Sequence, residues 1–193
     1  MATTSASLLE RLRRPDPADD DWRRLHDLYA PLVRRWLAAT PGLARDRDDL
    51  CQEVLSVLVR EVPAFDRARC GSFRAWLRLV TVNRVRTWRR AQARRPLVTA
   101  DPTEAFLARL EDPAGELTRR WDLEHDRHVT GRLLALVRPD FAPTTWAAFV
   151  ALTLAQRPAA EVAAELGLSV DAVLQAKARV LRRLRQEAGV LLD

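Results

Sequence analysis

Apolar residues along this chain recur three and four positions apart, the period of helices, and the runs are broken by proline or glycine. Leu25, Leu28, Leu32, Val33, Trp36 and Leu37 predict a first helix over about 21–39, with a kink or short break at Pro31. Leu50, Val54, Leu58 and Val62 stand four apart and predict a second helix over 46–62. Its opening acids, Asp46, Asp48 and Asp49, suit the positive end of a helix dipole. A short loop over 63–72 leads into a third helix, about 73–94. Residues 101–117 read as a linker, partly helical, before a helix over 118–137. After Pro139 the breaks leave helices at 144–154, 158–166 and 169–188. Strand-like alternation is absent, and Ala, Leu, Arg and Glu dominate. The expected fold is all-α, with two small helical domains joined by a linker. The expected boundaries are an N-terminal extension 1–20, a helical domain 21–95, an acidic linker 96–140 and a second helical domain 141–193.

Charge sharpens this layout. The chain carries a net charge of +6. From Arg67 to Ala100 there are ten arginines and no acid, interleaved with Trp76, Leu77, Leu79, Val80, Val82, Val85 and Trp88. Such a concentration reads as the basic face of a folded helix aimed at a polyanion, of which nucleic acid is the usual one. Residues 101–127 hold eight acids and four arginines. An acidic strand of this kind either mimics nucleic acid or is simply a solvated connector.

The C-terminal segment 157–185 has the layout of a helix-turn-helix. Pro158 falls at a first turn, Ala163 is small, Gly167 suits a left-handed C-cap, and Ser169 suits an N-cap. On the second helix Val170, Val173, Leu174, Leu181 and Leu184 are expected to face inward. Ser169, Asp171, Gln175, Arg179 and Arg182 then fall where a major-groove reader needs them, with Lys177 and Arg183 for phosphates. A helical hairpin with a solvated basic face is the plainer alternative.

Within 46–95 an acidic amphipathic helix passes through a loop into a basic, tryptophan-bearing helix. Asp48-Asp49-Leu50-x-Gln52-Glu53 is similar to the D-L-x-Q-E signature of sigma-70 superfamily factors. Phe73-x-x-Trp76-Leu77 followed by Asn83 is similar to their F-x-x-W-L…N stretch. Residues 21–95 thus resemble sigma domain 2 and 144–187 resemble sigma domain 4. The pair without a third domain resembles the extracytoplasmic-function (ECF) type. The resemblance implies core RNA polymerase and promoter DNA as partners, with an anti-sigma factor as a further one. Asp48, Asp49, Leu50, Gln52 and Glu53 would then bind core polymerase. The loop would capture a flipped −10 base with Phe65, Arg67, Arg69 and Phe73. Arg74, Trp76, Arg78, Asn83, Arg84, Arg86, Trp88, Arg89 and Arg90 would hold the −10 DNA. The C-terminal hairpin would read the −35 element, and the acidic linker would follow the RNA exit path.

A stand-alone helix-turn-helix regulator is the main rival, and it would need a sensor or dimerisation domain in front. Catalysis is not expected, since no Gly-rich phosphate loop, nucleophile motif or metal cluster is legible, and no cofactor is implied. His125 and His128 read as solvated helix residues. Cys51 and Cys70 read as reduced thiols in a cytoplasmic protein, and no signal peptide or membrane span is evident.

Overall fold

The computed structural model describes residues 7–92, 101–189 and Leu191; every regular element among them is helical. The chain divides into two compact units, Leu8–Val129 and Thr130–Gly189.

In the first unit, α1 (Leu8–Leu12) buries Leu8, Leu9 and Leu12 and is tied by Arg11 Nε to Asp21 at 2.8 Å. The expected N-terminal extension therefore contributes to this core. Helix α2 (Asp19–Ala39) buries the stripe read from the sequence and adds Tyr29. It runs through Pro31 without a break. Helix α3 (Arg47–Glu61) buries Leu50, Val54 and Leu58, with Val62 beyond its end. The expected loop is more ordered than its sequence suggested. It holds a 3-10 turn, Val62–Ala64, and a short helix, α4 (Arg67–Cys70), capped by the Asp66 carboxylate accepting from the Ala68 N–H. Helix α5 (Phe73–Gln92) follows. Residues 93–95, expected to continue it or end the domain, lie outside the described residues.

The acidic segment departs most from expectation. It forms α6 (Pro102–Glu111) and α7 (Glu116–Val137), and the part up to Val129 belongs to the first unit. Asp101 caps α6 through the Thr103 N–H, and the Thr103 hydroxyl donates to the Pro41 carbonyl at 2.9 Å. Leu107 and Leu110 are buried beneath α6. On α7, Trp121, His125 and Val129 stand four apart and are all buried. Trp121 packs on Trp36 with ring centroids 4.8 Å apart, and its Nε1–H donates to the Arg74 carbonyl. Three large side chains on one stripe are enough to fold an otherwise charged helix onto a core.

The histidines are also reassigned. His125 is fully buried and stacks on Tyr29 at 6.0 Å, while His128 Nε2 lies 2.6 Å from the Leu28 carbonyl and donates to it. His125 Nδ1 is 3.0 Å from Asp126, and its Nε2 is buried with no hydrogen-bond partner among the described residues. A neutral ring with its proton on Nδ1 fits this site, because a second proton would sit unsolvated among apolar groups. Burial accordingly pushes the His125 pKa below its ordinary value, against the pull of Asp126. The unfolded chain then takes up a proton at higher pH than the folded one. Stability of this unit should be fully present above about pH 6.5 and fall as pH drops toward the lower folded value. Urea melts at pH 7.5 and 5.5 should show the loss. His125→Phe should flatten the difference; an unchanged pH slope in that variant would assign it to other groups.

In the second unit, a 3-10 turn (Arg138–Asp140) precedes α8 (Pro143–Thr153), α9 (Ala159–Leu166) and α10 (Val170–Ala188). Ala148, Val162, Ala163, Val173 and Ala176 form its core. Alanines at three of these positions let the helices approach closely. Gly167 takes the left-handed conformation, φ +64°, that ends α9, and the Ser169 hydroxyl accepts from the Ala172 N–H to start α10. One expectation is corrected: Val170 and Leu174 are exposed rather than inward, because α10 buries Val173, Ala176 and Val180 instead.

Candidate nucleic-acid interface

Helix α3 turns one polar face outward. Asp49, Gln52 and Glu53 are exposed, while Leu50 is buried and serves the core. Asp48 is exposed but occupied: Arg34 Nε lies 2.9 Å and Arg47 3.5 Å from its carboxylate. These guanidiniums, Arg34 foremost, hold its pKa below the ordinary carboxylate value. Glu53 lies 3.4 Å from Arg84 of α5. Ser56 and the 47%-exposed Val59 continue the same face. The sequence reading missed both, although 49, 52, 56 and 59 keep helical spacing.

The aromatic expectations for the loop are corrected. Phe65 and Phe73 are buried, packed edge to face at 5.2 Å, so neither ring is presented to a base. Trp76 is half-buried and lies about 5 Å from both rings, leaving it and the half-buried Trp88 as the accessible aromatics of the set. Arg13, absent from the sequence reading, donates to the Phe65 carbonyl and pins the base of the loop.

The arginines sort into two groups. Arg67, Arg69 and Arg90 are exposed, as is Asn83. The others lie beside carboxylates, Arg84 at Glu53 of α3 and Arg74, Arg78, Arg86 and Arg89 at those of the acidic segment. Arg78, only 6% exposed, lies 3.2 Å from Asp122, and Arg74 lies 3.6 Å from Asp122 and 3.3 Å from Asp126. Arg86 Nε donates to Glu104 at 2.9 Å and its Nη1 to Glu111 at 2.6 Å, and Arg89 pairs with Asp101. Glu104, then Glu111, raise the Arg86 pKa, whereas burial lowers that of Arg78. The acidic segment thus neutralises much of the basic face that the sequence showed uncovered.

Residues 25–95 match the family model Sigma-70 region 2. No curated protein matches the chain. The match supports a member of the sigma-70 family, with a sigma factor's part in RNA polymerase binding and promoter recognition. That family acts in transcription initiation without being catalytic itself. The region 2 match takes in α2 from Leu25 onward, α3, the α4 loop and α5, and stops short of the acidic helices that cover α5. No described helix is long and apolar enough to cross a membrane.

The cover over region 2 has a measurable consequence. Arg86, Arg89, Arg90 and Glu104 line a recess of about 290 Å³. Replacing Glu104 and Glu111 with glutamine leaves Arg86 available to a phosphate. One added phosphate contact steepens the salt dependence of single-strand binding by about 0.7 in log–log slope, or about fivefold in affinity at 0.1 M salt. Binding of labelled single-stranded DNA to the full chain checks this. Gln at Glu10 and Glu161 is the charge-matched control, and equal gains in both variants would make the effect one of net charge alone.

Outside region 2, α10 presents Asp171, Gln175, Arg179 and Arg182 to solvent, with Lys177 half-buried beside them. Ser169 is exposed, but its hydroxyl serves as the N-cap. Arg183 is held within its own unit, 2.8 Å from Asp140 and 2.9 Å from Glu187. Glu187 foremost raises its pKa.

Proposed function

We propose that the chain is a two-domain sigma factor of the ECF type, which binds core RNA polymerase and directs it to promoters. The carrying observation is the combination of a Sigma-70 region 2 match on the first unit with a separate second unit ending in α9 and α10. The exposed residues of α3, Asp49, Gln52 and Glu53, offer an acidic docking edge whose apolar face is already used by the core. Arg67, Arg69, Arg90 and Asn83, with half-buried Trp76 and Trp88, supply phosphate contacts and aromatic surface for an opened −10 strand. The remaining arginines of the set reach DNA only where a phosphate replaces their internal carboxylates.

In this reading α9 supports α10, and α10 enters the major groove of the −35 element with Asp171, Gln175, Arg179 and Arg182 toward base edges and backbone. An anti-sigma factor is the partner expected to hold such a factor inactive. The acidic segment acts on region 2 itself, in place of the RNA exit path implied by the family resemblance.

The test is transcription. Purified chain is added to core RNA polymerase on a supercoiled genomic library, and the start sites are mapped. Starts that share a pair of elements at fixed spacing and require the chain are the expected result. Sequence-selective duplex binding with no association to core polymerase would favour the stand-alone regulator.

A further inference from the structure

We infer that Leu174 reads DNA sequence directly, seating its side chain against the 5-methyl group of a thymine in the major groove. The inference rests on the proposed placement of α10 in that groove and deepens it by naming the base. Helix α10 uses Val173, Ala176 and Val180 for its core, so its opposite face is fixed by the helical period. That face carries Asp171, Leu174, Gln175, Ala178 and Arg182. Leu174 is 48% exposed at one margin of it, toward Leu181.

Its surroundings define what can cover it. Leu174, Ala178 and Leu181 form the apolar floor of an open recess of about 510 Å³, edged by Lys177, Arg182, Arg185 and Gln186. No carboxylate among the described residues lines it. The occupant must therefore bring negative charge at its borders and an apolar group at its centre. Duplex DNA does both: phosphates flank the major groove, and the thymine methyl is the apolar group displayed on its base edges. Gln175, the next residue, suits adenine through its N6 and N7, and Asp171, one turn earlier, suits the N4 amino group of cytosine. The read sequence should accordingly place a thymine beside the adenine taken by Gln175.

The experiment removes one methyl group. Duplexes are selected from a random library by the full chain, alone and bound to core polymerase, and each thymine of the selected site is then replaced singly by uracil. One replacement should weaken wild-type binding by about three- to fivefold, the worth of one buried methyl group. The same replacement should have no effect on Leu174→Ala and should keep its effect on Leu174→Met. Insensitivity of the wild type at every thymine, or an equal loss in Leu174→Ala, would overturn the inference, as would a chain that selects no duplex. A chain that selects duplexes without binding core polymerase sinks the sigma reading alone, and the uracil series on the free chain then decides the role of Leu174.

Discussion

Asp49→Arg should weaken binding to core RNA polymerase by about a hundredfold. Asp49 is exposed in the first turn of α3 and faces away from the buried Leu50, Val54 and Leu58. Reversing its sign sets a cation where the proposed acidic edge meets a basic partner, and like-charge juxtaposition costs several kcal/mol. A hundredfold corresponds to about 2.7 kcal/mol. The fold should barely respond, because an exposed first-turn acid contributes only about 0.3–1 kcal/mol through the helix dipole. Asp48 is the informative neighbour. Its carboxylate is already engaged by Arg34 and Arg47, so Asp48→Asn should affect docking much less. Titrating core polymerase with the labelled chain measures both variants. Wild-type affinity in Asp49→Arg would remove α3 from the proposed interface.

Trp121→Ala should destabilise the first unit by about 3–5 kcal/mol, the usual cost of deleting a fully buried tryptophan side chain. The substitution removes the contact with Trp36 and the hydrogen bond to the Arg74 carbonyl, and leaves a cavity between α2, α5 and α7. Leu123→Ala, two residues further on and 71% exposed, should change stability by less than about 0.5 kcal/mol. Urea unfolding followed by tryptophan fluorescence and circular dichroism separates the two. Equal, small changes would mean that the acidic segment is a connector after all.

The all-α class, and most helix positions, were legible because burial repeats on simple stripes. Leu50, Val54, Leu58 and Val62 stand four apart, and all are buried. The turn between α9 and α10 was legible because Gly167 and Ser169 carry the local chemistry of a C-cap and an N-cap. The folding-back of the acidic segment was not. Its anchors, Leu107, Leu110, Trp121, His125 and Val129, are few and set among charges, and the arginines that pair with those charges lie far earlier in sequence. Periodicity also failed on α10, where Val170, Leu174 and Leu181 make as good a stripe as Val173, Ala176 and Val180. The choice fell to packing distance, since Ala176 admits a close helix neighbour and a leucine there would not. For the arginines of α5, composition showed the cations but not their partners. The sequence therefore overstated the accessible basic surface.

The two cysteines give this molecule a chemical handle. Cys51 is buried, its thiol directed at the Ala30 carbonyl, and burial pushes its pKa up, so little reactive thiolate forms there. Cys70 is exposed at the end of α4, between Arg69 and Gly71. A maleimide dye added to the native protein therefore couples at one place, beside the loop assigned to the melted strand. Under the proposed function, promoter opening can then be followed as a change in fluorescence without altering a single residue.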